Sequence, residues 1–255
     1  MANKTEDPAV QRNSNHAPLR EPGQWSIRNA SLTAGFALLL MSVVAIFGAV
    51  VVVDGLVTEG DAAATAADIT ASDRMFRLGI VSLIVVVALD VVVAWALYRV
   101  FSPVNASLSM LAAIMRLVYS AVFMVAIGEL LGVIRLLSDE GNRAVLGTDQ
   151  VQVMALQGVT SFYDIWYVSQ FLFGLHLLLL GYLAYRSGYV PRLLGALLAI
   201  AGLGYAADSC GAVLSESPWT DISAFTFLGE FLLALWLVIR ARRIADSVDA
   251  SEGSK

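Results

Sequence analysis

The chain has 255 residues, of which 58% are hydrophobic and only 15% are charged, and its formal net charge at pH 7 is −5. Soluble domains carry about 25% charged residues, so this composition excludes an ordinary water-soluble domain. The acidic balance provides no basic surface for nucleic acid. The single cysteine, Cys210, excludes an intramolecular disulfide bond and a CxxC metal or redox motif.

The two ends of the chain are polar. Residues 1–24 contain three prolines and scattered charges, which predicts a disordered tail, and residues 244–255 are expected to form a second one. The first apolar run starts only after Arg28 and is as long as a full membrane span. It therefore differs from a cleaved signal peptide and is expected to be retained as the first helix.

Six apolar segments follow the first tail. Each is long enough to cross a hydrocarbon core of about 30 Å. The predicted fold is all-α, an integral membrane bundle over residues 25–243. Its six transmembrane spans are predicted at about 28–53, 77–101, 107–136, 159–185, 191–214 and 222–241. Two links, 102–105 and 187–190, are so short that spans two and three, and spans four and five, are expected to form antiparallel hairpins.

The charges in the connecting segments predict the orientation. If the N-terminus is cytoplasmic, most Lys and Arg residues lie on the cytoplasmic side and most connecting Asp and Glu residues lie outside. This is the distribution of multi-pass proteins of the cell membrane, and it places both termini in the cytoplasm. In the first outer loop, an alanine-rich stretch after Asp61 predicts a short interfacial helix over residues 62–71. A second short helix is possible within residues 137–157.

Several short motifs are spread over the chain. The clearest are G-L-H-L-L-L-L-G-Y over residues 174–182 and R-S-G-Y-V-P-R over residues 186–192, with further ones at 60–66, 102–105 and 229–230. In these motifs the chain resembles the family called domain of unknown function 4386. The resemblance covers nearly everything after the N-terminal tail and implies a prokaryotic polytopic membrane protein. It implies no particular activity.

Ionisable residues within the apolar segments are the candidate site residues, because a charge in hydrocarbon is costly and usually lies between helices. Asp90 and Arg116 are each thirteen residues from Pro103. An antiparallel hairpin places them at the same depth, which predicts a buried ion pair. The pair either fixes the register of the two helices or acts as a gate or proton-release pair.

Four acids in four different spans form a second candidate site: Glu129, Asp164, Asp208 and Glu230. Their depths place all of them in the outer half of the membrane, and four carboxylates cannot all stay ionised together in a low dielectric. A cluster of oxygen ligands suits protons or hard cations better than zinc or copper. Alternatively, several of these acids are solvated in an outer vestibule, or they recognise the amine of a ligand.

His176 is the only histidine outside the N-terminal tail. It is either a hydrogen-bonded packing residue or a proton relay, with Arg116 or Asp90 as the nearest partners by depth. Five glycines recur every seven residues through spans four and five: Gly174, Gly181, Gly188, Gly195 and Gly202. Small residues at helical spacing let two helices approach closely, so this stripe predicts helix packing.

The sequence lacks the motifs of known membrane enzymes. HExxH and GxSxG are absent, and one histidine cannot supply the two or three ligands of a catalytic zinc site. No cofactor is therefore expected, and none of these known enzymatic activities is indicated. The leading interpretation is a non-catalytic membrane scaffold, sensor or regulatory protein. The alternatives are a small cation- or proton-linked transporter and, third, a lipid-acting enzyme. The expected partners are the lipid bilayer and a small cation or proton, and the sequence identifies no protein partner.

Overall fold

The computed structural model describes residues 26–214 and 228–252, and in these ranges every regular element is a helix. The helices are α1 (Ile27–Ala45), α2 (Ala62–Ala71), α3 (Asp73–Phe101), α4 (Ala106–Ser138), α5 (Glu140–Leu146), α6 (Thr148–Ser187), α7 (Arg192–Leu214), α8 (Leu228–Ile239) and α9 (Ala241–Glu252). After α1 the chain continues without a break through a π-helical segment (Ile46–Val53) and a 3₁₀ turn (Asp54–Leu56).

Within the described ranges, five helical segments are long and apolar enough to cross a membrane: Ile27–Leu56, Asp73–Phe101, Ala106–Ser138, Thr148–Ser187 and Arg192–Leu214. They correspond to the first five predicted spans. The sixth prediction, 222–241, falls partly on residues outside the described ranges, and its described portion contains the shorter apolar helix α8. Many large apolar side chains on these helices face outward, such as Val43, Val125 and Leu203, which suits contact with lipid.

The long helices form a closed ring. Helix α1 packs against α3, α3 against α4, α4 against α6, and α6 against α7, and α8 then packs against both α7 and α1. Neighbours in the ring therefore follow the order of the chain, and α8 closes it.

Local sequence signals explain where the hairpins turn. Between α3 and α4, Asn105 caps the new helix by accepting a hydrogen bond from the backbone N–H of Leu108 at 2.9 Å. Helix α6 ends at Gly188, whose φ of +76° is accessible to glycine at little cost. The helix predicted over residues 62–71 is present as α2, with the Asp61 carboxylate accepting from the N–H of Ala64 at 2.9 Å.

The glycine stripe lies between α6 and α7, except for Gly188 in the turn. A Cβ atom on Gly174 would lie 2.6 Å from the backbone oxygen of Gly202, and one on Gly181 would lie 2.7 Å from that of Gly195. The two backbones are therefore in direct contact, as small residues allow.

Two elements differ from the sequence predictions. Helix α6 begins at Thr148 and not near 159, because Val151, Ala155 and Val159 form one buried face that continues the helix. Helix α9 occupies residues that were expected to begin a disordered tail at 244. From the start of α9 at Ala241 to Gly253, no glycine or proline interrupts the chain. The fully buried Ile244 helps to attach the helix to the bundle.

Candidate functional site

A cavity of about 130 Å³ lies inside the helix ring. Each of the six ring segments contributes to its lining. The lining residues are Met41, Ser42, Ala45, Ala49, Leu83, Val86, Asp90, Arg116, Tyr119, Phe123, Trp166, Gln170, Phe173, Tyr205 and Glu230. The cavity thus combines an apolar and aromatic surface with a few ionisable and amide groups, as ligand pockets commonly do.

Arg116 and Asp90 form an ion pair at this cavity. Arg116 Nε lies 2.8 Å and Nη2 lies 2.6 Å from the same carboxylate oxygen, Oδ1 of Asp90. The side chains are only 1% and 2% exposed. Because the charges neutralise each other, the pair offsets much of the cost of burying them. The structure therefore brings together the two residues for which the hairpin predicts a common depth.

His176 holds the other side of the Arg116 guanidinium. Arg116 Nη1 lies 3.3 Å from His176 Nε2, and His176 Nδ1 lies 2.8 Å from the backbone oxygen of Ala112. A guanidinium can only donate hydrogen bonds, and a carbonyl oxygen can only accept them. Nε2 must therefore accept and Nδ1 must donate, so this geometry requires the neutral Nδ1–H tautomer. Both ring nitrogens are already engaged in hydrogen bonds, and His176 does not line the cavity.

Arg116 makes two further contacts that are weaker than a charged hydrogen bond. Its guanidinium carbon lies 5.1 Å from the centre of the Phe173 ring, a cation–π distance. Nη2 also lies 3.7 Å from the sulfur of Met41. Side chains from α1, α3 and α6 thus hold this group of α4 in place, and its charge is already matched within the protein.

Glu230 and Gln170 have polar atoms that make no hydrogen bond to any residue in the described part of the chain. Both residues line the cavity, and they are only 8% and 6% exposed. The Gln170 Oε1 atom is buried without a hydrogen-bond partner. Among the residues that the structure describes, no hydrogen bond or salt bridge engages the Glu230 carboxylate. Buried polar groups are nearly always satisfied, so two such groups at one cavity need an explanation. Within the described residues the Ser31 hydroxyl is also buried without a partner, but it does not line the cavity.

Aromatic rings form one wall of the cavity and pack on one another. The Trp166 indole N–H donates to the Tyr119 hydroxyl at 3.1 Å. Ring centres are 4.8 Å apart for Tyr119 and Phe173, 5.1 Å for Phe173 and Tyr205, and 5.3 Å for Phe123 and Trp166. These contacts fix the rings in position, so the wall is preformed.

The first helix widens where it passes the cavity. Ala45 is the last residue of α1 and Ala49 lies within the π-helical segment, and both line the cavity. Where the π-helical segment packs against α3, a Cβ atom on Gly48 would lie 3.1 Å from the backbone oxygen of Gly79. π-helical turns inside α-helices occur frequently at functional sites.

The four acids predicted as one cluster do not come together. Glu230 lines the cavity, whereas Asp208 is buried elsewhere and already has an interaction partner, Glu129 is half-buried, and Asp164 is exposed. Over the described ranges, no three Asp, Glu, His or Cys side chains lie close enough to hold a metal ion. The prediction of a four-acid cation cluster is therefore corrected.

The correction has a geometric reason. At about 100° per residue, Asp164 lies roughly 200° around α6 from Trp166, and Glu129 lies roughly 240° around α4 from Phe123. Both acids therefore face away from the cavity although their depth is suitable. The role of Gln170 and the aromatic wall were not predicted from the sequence. The signal was present, because Trp166, Gln170 and Phe173 follow the i, i+4, i+7 spacing of one helix face.

An all-helical ring with five segments suited to crossing a membrane, enclosing a partly polar cavity, defines the class of this molecule. It has the architecture of a polytopic membrane protein with an internal pocket. The chain belongs to the family described as Domain of unknown function (DUF4386), which matches residues 33–241. This confirms the resemblance noted in the sequence motifs.

One relative extends the comparison to the archaea. The chain is 36% identical over 170 residues to an "Uncharacterized protein" of Archaeoglobus fulgidus, which covers 66% of this chain and 87% of the relative. No solved structure matches the chain.

Proposed function

We propose that this protein is a non-catalytic sensor or regulatory protein of the cell membrane that binds a small molecule in the cavity of its helix ring. The observation that carries the proposal is Glu230, a buried acid that faces the cavity with no partner in the described part of the chain. A carboxylate in such a place needs a proton or a cation, because an isolated buried charge is strongly unfavourable.

The contrast with Asp90 supports this interpretation. The protein supplies an arginine for Asp90 and a histidine behind that arginine, so the structural charges are neutralised internally. Glu230 and Gln170 lack such partners at the same cavity. A scaffold that only packs its helices would be more stable with apolar residues at these two positions.

The same proposal includes a membrane topology. We propose six spans with both termini in the cytoplasm, the sixth span containing α8. The apolar α8 closes the ring between α1 and α7, and Arg240, Arg242 and Arg243 follow it directly, in keeping with a cytoplasmic end. Reporter fusions after Lys255 and within the 139–147 loop test this, because the first must report cytoplasm and the second the outside.

A small cation- or proton-linked transporter is the second candidate. The π-helical segment beside the cavity favours it, since a widened turn can shift its hydrogen-bond register and open a path. Uptake into proteoliposomes distinguishes the two, because a sensor binds without net transport.

Ligand binding is tested by the thermal stability of protein purified in a neutral detergent, measured across pH 5 to 8 and against a panel of ions, amines, alcohols and acids. A ligand that binds the native state raises the midpoint by mass action. The proposal requires a rise that is lost in Glu230→Gln and kept in Asp164→Asn, which removes an exposed carboxylate outside the cavity. A wild-type midpoint that no compound raises would refute it.

A further inference from the structure

We propose that the ligand of the cavity is a small organic cation, an alkylammonium whose charge pairs with Glu230 and whose N–H groups reach Gln170. This inference depends on the proposed function, because it specifies the ligand class of the same cavity.

The charge balance of the cavity points to a monocation. Arg116 and Asp90 cancel each other, and the hydrogen bonds of His176 require its neutral form. An ionised Glu230 therefore leaves the lining with one uncompensated negative charge. A ligand with one positive charge neutralises the site, whereas an anion would add a second negative charge in a low dielectric.

The hydrogen-bonding groups specify an ammonium that carries N–H. Within the described part of the chain, the Glu230 carboxylate oxygens and Gln170 Oε1 have no hydrogen-bond partner, and they can only accept. The Tyr205 hydroxyl of the same lining can donate or accept. A primary ammonium supplies three donors on one compact charge and can satisfy both residues together. A quaternary ammonium carries the charge without donors and would leave Oε1 unsatisfied, so it is expected to bind less tightly.

The aromatic wall suits the organic part of such a ligand. Trp166 and Tyr205 line the cavity beside Phe173, whose ring already contacts Arg116. Aromatic faces attract cations and bury the adjacent methylene groups. A hard inorganic cation prefers six or more oxygen ligands, and this lining offers mostly carbon.

The volume limits the size of the ligand. The cavity measures about 130 Å³, slightly less than an engineered cavity of about 150 Å³ that accommodates benzene. A chain of about four carbons with one ammonium group is therefore a suitable probe, and n-butylammonium is the compound that we would use.

The test compares four probes of matched size by thermal shift and by titration of tryptophan fluorescence. The probes are n-butylammonium and tetramethylammonium as chlorides, n-butanol, and butyrate as its sodium salt, all at a constant ionic strength maintained with sodium chloride. The expected order of affinity is n-butylammonium, then tetramethylammonium, with n-butanol and butyrate much weaker. Glu230→Gln is expected to weaken n-butylammonium about tenfold or more, the loss of a charge-assisted contact.

Two further variants separate the role of the ligand's N–H donors from that of its charge, and control for the loss of a carboxylate. Gln170→Leu removes the unsatisfied acceptor without changing the charge, and is expected to reduce the preference for n-butylammonium over tetramethylammonium. Asp164→Asn is expected to bind all probes like the wild type, which controls for the loss of a carboxylate. If Glu230→Gln does not fold, the Gln170→Leu result alone decides the role of the N–H donors.

The outcomes separate this inference from the proposed function. If n-butanol or butyrate binds as tightly as n-butylammonium, and a cavity variant such as Gln170→Leu weakens that binding, the cavity binds ligands but the cation assignment is wrong. If n-butylammonium binding is unchanged in Glu230→Gln, the assignment is also wrong. If neither these probes nor the broader panel shifts the wild type, the proposed function fails together with it.

Discussion

Arg116 and Asp90 meet through two contacts to one oxygen, with Nε at 2.8 Å and Nη2 at 2.6 Å from Oδ1. They come from opposite arms of the α3–α4 hairpin, thirteen residues on either side of Pro103. The hairpin thus contains both the Asp90 carboxylate and its counter-charge, Arg116. This pair is neutral without any charge from the other helices of the ring.

Removing only one member of this pair should be costly. Arg116→Met leaves Asp90 buried without a counter-charge, and we expect a loss of stability of about 3–5 kcal/mol. The double variant Asp90→Leu/Arg116→Met removes both charges and should recover most of that loss, although His176 Nε2 then lacks its donor. Midpoints of thermal unfolding in detergent measure the cycle. A double variant as unstable as Arg116→Met would show that the pairing contributes little.

The geometry predicts one tautomer of His176. Its Nδ1 should carry the proton, because Nδ1 faces the Ala112 oxygen and Nε2 faces Arg116. Nitrogen NMR of histidine-labelled protein, with His16→Gln to remove the other signal, distinguishes the tautomers directly. His176→Phe, which keeps the ring shape but neither hydrogen bond, should cost about 1–3 kcal/mol. An Nε2–H signal would contradict the contact with Arg116.

The contact between α6 and α7 should not tolerate a single methyl group. In Gly181→Ala the new Cβ would lie 2.7 Å from backbone atoms of Gly195 and Ala199, so the helices must separate. We expect a loss of about 1–3 kcal/mol. Gly128→Ala in α4 is the matched control, since no atom lies within 4 Å of its Cβ position. There the better helix propensity of alanine should leave stability equal or higher. Equal effects at both sites would exclude close packing as the cause.

Tyr189 links the α6–α7 turn to two other helices. The Tyr189 hydroxyl donates to the backbone oxygen of Val100 at 2.6 Å, and the backbone oxygen of Tyr189 accepts from the Trp236 indole N–H at 3.2 Å. Burial raises the pKa of the Tyr189 phenol above its usual value. The stabilisation is therefore complete below about pH 10 and is lost as the pH rises toward the folded-state pKa.

Comparison with Tyr189→Phe isolates this effect from the other tyrosines. The variant should be less stable than the wild type by about 1 kcal/mol near neutral pH, through loss of one hydrogen bond. Above pH 10 the difference should shrink, because only the wild type loses the contribution of residue 189. Thermal midpoints from pH 7 to 11 measure it. A difference that stays constant or grows would contradict the assignment.

The depth of a residue could be predicted from the sequence, but its direction around the helix could not. Rise per residue places Asp90 and Arg116 at one level, and the short link forces their helices to be neighbours, so their meeting follows from two simple facts. The same reasoning put Glu129 and Asp164 level with Glu230 and grouped them together. Their side chains lie on other faces, because rotation of each helix is decided by packing against neighbours.

Other features depended on contacts that are distant in sequence. Gln170 looks like an ordinary polar residue in an apolar run until the ring encloses it beside Glu230. Helix α9 carries too few apolar residues to be predicted as part of the bundle, and the buried side chains of Ala241 and Ile244 attach it there. In both cases the ring had to be assembled before the role of the residue could be recognised.

Because neighbours in the ring follow the order of the chain, the pocket acquires its parts in the order of synthesis. The charges of Asp90 and Arg116 emerge only 26 residues apart and can enter the bilayer as a neutral pair. Helix α8 is made last among the ring helices, and it brings both the closing wall and Glu230. A nascent chain in which α8 has not yet been made therefore has a groove between α1 and α7, and the last wall of the pocket and its acid are added together by α8.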